Sequence, residues 1–258
     1  MTRILAVTNQ KGGVGKTTTS INLAASLALA GRRALLVDLD PQGNATMGSG
    51  VDKRSVTATI YDVLLGAKSL SATRVKSSGN YDLIPANREL AGAEVELVPL
   101  PERETRLKEA LKEVQQEYDF ILIDCPPALN LLTVNGLCAA HAVMIPMQCE
   151  YYALEGLSDL VQTIKKVRVN LNPALEIEGL LRTMYDPRNM LAQQVSDQLQ
   201  QHFGEKVYRT VIPRNIRLAE APSYGVPVMN LDRQSKGALA YLALAGEMLS
   251  KPAQSLHG

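Results

Sequence analysis

The chain has 258 residues, which is long enough to bury a large core, and its 46% hydrophobic and 21% charged residues exclude a disordered polymer. A formal net charge of +1 excludes attraction of nucleic acid by a global positive field, so any DNA binding requires a local patch. The three cysteines lack a paired Cys-x-x-Cys spacing, which favours buried, reduced thiols over a zinc or disulfide framework.

The first forty residues predict a strand, a glycine loop, a helix and a second strand. Residues 3–8 are an apolar run that ends at a glycine cluster, residues 16–30 are rich in Ala and Leu and close at Gly31, and residues 34–39 are again apolar. This βαβ unit predicts two parallel strands that are buried on both faces.

The alternation of strands and helices continues along the rest of the chain. Strands are predicted at residues 81–85, 120–124, 142–147, 177–184 and 207–211, and helices at 102–116, 129–139, 152–169, 191–203 and 235–250. Segments 43–55 and 86–101 are the least regular; the first follows a strand end and is a candidate moving loop, and the second is predicted to be a surface loop. We therefore expect an α/β fold, with a single doubly wound, mostly parallel sheet flanked by helices, as one domain over residues 1–258 that ends in a short tail from about 251.

A phosphate-binding loop is predicted between the first strand and the first helix. Its residues are Lys11, Gly12, Gly13, Val14, Gly15, Lys16, Thr17 and Thr18. Glycines let successive backbone N–H groups point inward, and the following helix adds its positive N-terminal end, so anionic phosphates bind. Lys16 adds a full charge near the β- and γ-phosphates, and the Thr17 hydroxyl is placed to ligate Mg²⁺. The expected ligand is a nucleoside di- or triphosphate with Mg²⁺.

The start of this loop departs from the usual pattern. Gln10 stands where a glycine is expected, and Lys11 adds a second lysine. A lysine at the loop entrance is poorly placed to reach the γ-phosphate of its own loop, so one physical possibility is that it serves a nucleotide held by a facing subunit. A solvated surface lysine is the alternative, and the residues alone leave both open.

Carboxylates at two predicted strand ends complete the candidate site. Asp124 ends an apolar strand and is typical of the acid that orients Mg²⁺, usually through water. A strand-end aspartate that caps the next turn is the alternative. Asp38 and Asp40 stand two residues apart at the end of the second strand, and we expect only one of them to face the phosphates.

Four motifs together resemble one protein family. They are KGGVGKTTT from residue 11, VDLDPQGNAT from residue 37, YDFILIDCPP from residue 118 and IPRNIRLAEAPSYGVPV from residue 212. In this order, and over about residues 2–250, they resemble the ParA/Soj family of chromosome- and plasmid-partitioning ATPases, within the MinD/ParA group that carries a deviant Walker A loop.

The resemblance implies roles for individual residues of the loop and of the strand ends. Lys11 would cross an ATP-sandwiched dimer interface to the phosphates of the partner, and any side chain at Gly12 would obstruct the facing subunit. Asp40 would position or activate the attacking water, and Asp38 would support nearby structure or metal. Lys11, Lys16 and Asp40 are thus the implied catalytic residues.

Adenine and DNA contacts are implied in the last third of the chain. Pro213 and Asn215 match the adenine-contacting loop of the family, although as plain sequence they signal a turn. Arg188 and Arg217 match positions that the family uses for sequence-independent DNA binding, with solvated arginines as the alternative. Residues 179–251 hold nine Lys or Arg against six Asp or Glu, which is a modest surplus. No helix-turn-helix segment precedes the loop, so sequence-specific operator binding is not expected.

The implied function is a partition ATPase. ATP drives dimerisation, the homodimer binds nucleoid DNA non-specifically, a ParB/Spo0J-type centromere-binding partner stimulates hydrolysis, and the ADP or apo form releases DNA. A MinD-like membrane cycle would need a basic amphipathic C-terminal helix, which LSKPAQSLHG does not provide. A redox or biosynthetic enzyme like the nitrogenase iron protein would need cluster ligands, and Cys125 and Cys138 lie in no recognisable cluster motif. With no run of roughly 18 apolar residues and no secretory pattern, we expect a cytoplasmic, nucleoid-associated protein without a membrane partner.

Overall fold

A computed structural model describes residues 2–251 and contains one sheet of seven strands. The strands are β1 (Arg3–Val7), β2 (Ala34–Asp38), β3 (Val75–Lys76), β4 (Asp82–Ile84), β5 (Phe120–Asp124), β6 (Ala142–Met147) and β7 (Glu176–Arg182). Their order is β3-β4-β2-β5-β1-β6-β7, and every neighbouring pair is parallel except β3 with β4. The predicted doubly wound, mostly parallel sheet is confirmed.

Helices cover both faces of this sheet. They are α1 (Lys16–Leu29), α2 (Asn44–Gly48), α3 (Ile60–Leu65), α4 (Leu70–Thr73), α5 (Leu90–Glu96), α6 (Arg106–Leu111), α7 (Leu131–Ala139), α8 (Ala153–Asn170), α9 (Met190–Phe203), α10 (Ile216–Glu220), α11 (Val228–Leu231) and α12 (Lys236–Ser250). Short 3₁₀ turns lie at Gln115–Glu117, Gly204–Lys206 and Ala221–Tyr224.

Two hydrophobic layers hold the sheet, and the central strands contribute alternate residues to each. In β1, Ile4 and Ala6 pack into the layer that contains α3, α7 and α8, whereas Leu5 and Val7 pack into the layer of α1 and α12. All residues of β2, β5 and β6 are buried. A near-continuous apolar run is what a strand covered on both faces requires, which is why these strands were predictable.

The sheet register places the functional strand ends side by side. Val7 of β1 and Asp38 of β2 are both register partners of Asp124 in β5. The loops that follow these three strands therefore meet at the carboxyl edge of the sheet, where ligands bind in open α/β folds.

Three sequence predictions were wrong in detail. Segment 207–211 forms only an isolated bridge between Leu180 and Val207, because the backbone N–H groups of Arg209 and Thr210 donate to the Glu247 carboxylate of α12 instead of to a strand. The predicted surface loop 86–101 contains α5, whose Leu90 and Ala93 are buried. The predicted helix 102–116 is interrupted, with α6 covering only its centre and a 3₁₀ turn following.

The described helices bear on the prediction that the protein has no membrane partner. Among the helices of residues 2–251, none is both long enough and apolar enough to cross a bilayer. Residues 252–258, on which the expectation about the tail depends, lie outside the described residues. The assignment of residues 1–258 to one domain stays a prediction.

Candidate nucleotide site

The glycine loop between β1 and α1 has the backbone that a phosphate cradle needs. Gly13 and Gly15 have φ angles of +74° and +87°, which favour glycine because a side chain would be strained there. No side chain caps the N-terminus of α1, so its first N–H groups face the loop without a side-chain acceptor. A Cβ added to Gly12 would meet nothing within 4 Å, so the packing of residues 2–251 does not explain this glycine.

Lys16 lies inside the loop rather than in solvent. Its ammonium group donates to the Lys11 carbonyl at 3.1 Å, and only 7% of the residue is exposed. Burial lowers the pKa of Lys16, and the negative charges of Asp124 and Asp40 oppose that shift. A cation held this way needs only to turn from a carbonyl oxygen to phosphate oxygens.

Asp124 is a buried carboxylate that two hydroxyls of α1 hold. Thr17 Oγ1 donates to its Oδ2 and Ser20 Oγ to its Oδ1, both at 2.8 Å. Burial, together with the nearby charge of Asp38, raises the pKa of Asp124 to about 7. Among residues 2–251 no Lys or Arg forms an ion pair with it. A hydroxyl beside a carboxylate that lacks a cation is the hard oxygen set that suits Mg²⁺.

Asp38 and Asp40 take up different environments, because β2 ends at Asp38 and the strand rule that places residues two apart on one face does not extend to Asp40. Asp38 is fully buried and accepts hydrogen bonds from the Thr46 amide at 2.8 Å and the Thr46 hydroxyl at 2.7 Å, and burial raises its pKa to about 6. Asp40 is half-buried, accepts from the Gln42 amide at 2.9 Å, and lies near enough to Lys16 to oppose the lowering of its pKa. Asp38 thus anchors α2, and Asp40 is the carboxylate turned toward the loop.

Lys11 is neither buried in the loop nor freely solvated. Its ammonium group pairs with Glu150 at 2.5 Å, and about half of each side chain is exposed, at 48% and 50%. Exposed ion pairs contribute little stability, typically below about 1 kcal/mol. Lys11 is therefore held toward the loop that follows β6 by a contact that is easily exchanged for another. Nothing in the sequence pattern singled out Glu150.

The predicted adenine residues lie beyond the carboxyl end of β7. Pro213 forms an isolated bridge with Tyr185, and Asn215 caps α10 by accepting from the Leu218 amide at 3.3 Å. The turn expected from plain sequence is therefore present. A cleft of about 420 Å³ lies nearby, and neither Pro213 nor Asn215 lines it. Its walls are Thr17, Thr18, Ile21, Asn22, Asn44, Met47, Gly48, Ala221, Pro222, Ser223 and Val226. Sequence reasoning missed it because three distant segments form it.

Arg188 and Arg217 are both exposed and both paired with carboxylates. Arg188 contacts the two carboxylate oxygens of Asp186 at 3.0 and 2.8 Å. Arg217 contacts Glu220 at 2.8 Å and Asp232 at 3.5 Å. In this structure a neighbouring carboxylate of the same chain therefore partly balances the charge of each arginine that is predicted to contact DNA.

The cysteines are buried and unpaired. Cys125, Cys138 and Cys149 are free thiols, and burial raises the pKa of both Cys138 and Cys149 to about 11. Within residues 2–251, no group of three or more His, Cys, Asp or Glu is arranged to hold a metal ion.

The chain is similar in sequence to one protein-family model and to several named proteins. Residues 2–177 match the model of an AAA domain family, AAA_31. The chain is 55% identical over 249 residues to the sporulation initiation inhibitor protein Soj of Bacillus subtilis, covering 96% of this chain and 98% of that protein. It is 51% identical over 252 residues to the chromosome partitioning protein ParA of Caulobacter vibrioides, covering 96% and 94%.

A solved structure shares both the fold and much of the sequence. It is a cobyrinic acid a,c-diamide synthase from Mycobacterium smegmatis with a bound ATP analogue and magnesium, at 41% identity and a TM-score of 0.86, covering 96% of this chain and 95% of that one. ATP and Mg²⁺, the ligands expected from the sequence, correspond to the ligands of this similar protein.

Proposed function

The chain belongs to the Soj/ParA family of chromosome-partitioning ATPases, and we propose that it works as a nucleotide-switched homodimer that binds DNA without sequence preference. It is an ATP hydrolase that uses Mg²⁺. The observation that carries the proposal is the arrangement of Lys16, Thr17 and Asp124 around a glycine loop that opens at the carboxyl edge of the sheet.

The residues of the site divide the work of ATP hydrolysis among them. Backbone N–H groups of residues 12–18 hold the phosphates, and Lys16 moves from the Lys11 carbonyl to the β- and γ-phosphates. Thr17 and Asp124 would hold Mg²⁺, and the bound ion would supply charge stabilisation to the phosphoryl group that is transferred. Asp40 orients the attacking water.

Exposed groups at the same edge support a second copy of the chain as the partner. Leu129, after β5, is 48% exposed, and Tyr151 and Tyr152, after β6, are 73% and 69% exposed. Aromatic side chains next to a polar site are typical of protein interfaces. Phosphates that two subunits bring together repel each other unless a cation lies between them, and Lys11 is a half-exposed cation at this edge.

Dimerisation gives the switch its DNA affinity. Two copies double any basic patch, and attraction to phosphate grows with the number of phosphates neutralised. Arg188 and Arg217 exchange their intrachain carboxylates for DNA phosphates in the ATP dimer. A ParB/Spo0J-type partner stimulates hydrolysis, and the protein leaves the nucleoid as ADP forms. The family relationship supports these last steps.

DNA binding at low salt with ATP, ADP or no nucleotide tests the proposal. We expect binding with ATP only, its loss in Lys16→Ala, and a weakening in Arg188→Ala. Arg54→Ala is the matched control, because Arg54 is 80% exposed and contacts both oxygens of Asp52 at 3.0 and 3.2 Å, much as Arg188 contacts Asp186. Equal DNA binding with and without ATP would refute the switch, and equal weakening in Arg54→Ala would remove Arg188 from the DNA surface.

A further inference from the structure

Thr183 is a buried hydroxyl that touches the back of the phosphate loop. It follows β7 directly, is 2% exposed, and its Oγ1 donates to the Val14 carbonyl at 2.7 Å. A Cβ added to Gly15 would lie 3.7 Å from both the Cβ and the Cγ2 of Thr183. This residue therefore contacts the loop on the side away from the expected phosphates.

The Val14 carbonyl has no easy substitute for this hydrogen bond. A loop that turns its N–H groups toward a ligand turns carbonyl groups away from it, and these need donors of their own. Val14 is 1% exposed, so bulk water is a poor replacement donor. The Thr183 hydroxyl thus fixes where one side of the cradle lies relative to β7.

The chain after Thr183 is fixed by successive hydrogen bonds. The Thr183 amide donates to the Met147 carbonyl at 2.8 Å, and the Tyr185 amide to the Ile212 carbonyl at 3.0 Å. Between them, Met184 has a φ of +49°, a conformation that persists in a non-glycine residue only where its neighbours are held.

The same continuity extends to α9. The Arg188 amide donates to Asp186 Oδ1 at 3.0 Å, and the Asn189 amide donates to the Asp186 carbonyl at 3.1 Å. Asn189 then caps α9 by accepting from the Leu191 and Ala192 amides at 3.0 and 3.2 Å. Hydrogen bonds therefore restrain segment 184–189, which carries Arg188, at its start beside the phosphate loop and at its end at the N-terminus of α9.

We propose that Thr183 is a positioning residue that couples nucleotide in the phosphate loop to segment 184–189. Bound nucleotide restricts the motion of the phosphate loop, including the Val14 carbonyl. Because the Thr183 hydroxyl is hydrogen-bonded to that carbonyl, the motion of segment 184–189 is restricted as well. The use of Arg188 on DNA rests on the proposed function, whereas the coupling itself requires only that nucleotide binds.

Hydrogen exchange of the full chain, with and without saturating Mg²⁺–ADP, tests the coupling. The hydrogen-bonded amides of Tyr185, Arg188 and Asn189 report on the segment, and residues 12–18 report on occupancy of the loop. In the unaltered protein we expect nucleotide to slow exchange in both regions, by about fivefold or more in the segment. Thr183→Val keeps the shape but lacks the hydroxyl, and it should show slowing in the loop alone. Thr183→Ser should restore slowing in both.

A buried hydroxyl elsewhere serves as the control. Thr73 is 1% exposed, and its Oγ1 donates at 2.9 Å to the carbonyl of Ser69, the N-cap of α4, so Thr73→Val should leave both regions responsive. Thr183→Ala replaces the valine variant if that variant does not fold. The coupling is overturned if nucleotide slows amide exchange in the segment equally in the variants without the hydroxyl. It is also overturned if, in the unaltered protein, nucleotide slows exchange in the loop but not in the segment. No response in either region overturns the nucleotide site as well.

Discussion

Three aspartates at one sheet edge differ chiefly in how far they are buried. Asp38 and Asp124 are 0% and 1% exposed and are held by hydroxyls and amides, whereas Asp40 is half-buried and accepts one amide. A buried carboxylate with fixed donors suits a structural or metal-holding task, and a more accessible one is free to meet water. The division supports the role that family resemblance implies for Asp40.

Replacing Asp40 with Asn should slow ATP hydrolysis by about 10²- to 10⁴-fold while nucleotide affinity changes little. The reason is that Asp40 makes no hydrogen bond to the loop residues in the structure, and its Oδ1 accepts from Gln42, a bond that an asparagine oxygen retains. Phosphate release and ADP affinity measure the two effects. Asp52→Asn alters another loop carboxylate and should leave both unchanged. Near-normal turnover in Asp40→Asn would remove Asp40 from the mechanism.

The buried carboxylates also predict how stability depends on pH in metal-free, nucleotide-free protein. The pKa values of Asp38 and Asp124 are raised by burial to about 6 and about 7, above those of the unfolded chain, so the folded state binds these protons more tightly. Their contribution to the free energy of unfolding therefore falls as pH rises from about 4 to about 7. Asp124→Asn removes the ionisation, its oxygen can accept from one of the two hydroxyls, and its NH₂ group can donate to the other.

Thermal unfolding in EDTA measures this effect. We expect Asp124→Asn to melt above the unaltered protein at pH 8, on the order of 5 °C, and the difference to shrink toward pH 5. A difference that stays constant between pH 5 and pH 8 would show that Asp124 does not titrate in this range.

At the scale of elements, the approach of α7 to β5 depends on one glycine. A Cβ on Gly136 would lie 2.9 Å from Cys125 Sγ and 3.3 Å from Leu39 Cδ2, so α7 would have to move from the strand end that carries Asp124. We expect Gly136→Ala to lower the free energy of unfolding by about 1–3 kcal/mol in denaturant titrations. In α12, a Cβ on Gly246 meets nothing within 4 Å, so Gly246→Ala should add about 0.5–1 kcal/mol through helix propensity. Similar changes in both variants would contradict the packing argument.

The parallel strands were predictable because burial on both faces requires apolar runs. Residues 120–124 and 142–147 match β5 and β6 as predicted. By contrast, α5 shows only Leu90 and Ala93 buried, which is too weak a pattern to separate it from a loop. Residues 207–211 have strand-like composition, but the backbone amides of Arg209 and Thr210 donate to the Glu247 carboxylate instead of to a neighbouring strand. This contact joins residues far apart in the chain, so the local sequence does not predict it.

The candidate site likewise has a part that the local sequence predicts and a part that depends on tertiary contacts. The phosphate loop was predictable because its chemistry lies in eight consecutive residues. Ser20, Glu150 and Thr183 were missed, since each reaches the site only through folding, from α1, from the loop after β6 and from the end of β7. The first of these had a weak signal, because Ser20 stands one helical turn after Lys16 and so shares its face.

At the scale of the whole molecule, several features without an internal packing explanation lie at the carboxyl edge of the sheet. A Cβ on Gly12 would meet nothing within 4 Å, Lys11 is half-exposed, and Tyr151 and Tyr152 are 73% and 69% exposed. Packing within residues 2–251 does not require these choices. The second copy of the chain that we propose at this edge would account for them together, because close approach needs a small residue at position 12 and a cation between the phosphates.

Replacing Gly12 with Val should therefore abolish ATP-dependent dimerisation while the monomer still folds and binds Mg²⁺–ADP with an affinity within about threefold of normal. A Cβ at position 12 would meet nothing within 4 Å apart from its two chain neighbours, so we expect the effect of the side chain to fall on the partner. Light scattering with a non-hydrolysable ATP analogue measures the assembly. Gly246→Val adds the same group at an open position on α12 and should dimerise normally. A Gly12→Val protein that still dimerises would show that the loop does not face a partner, and one that loses ADP binding would show that the side chain obstructs its own nucleotide.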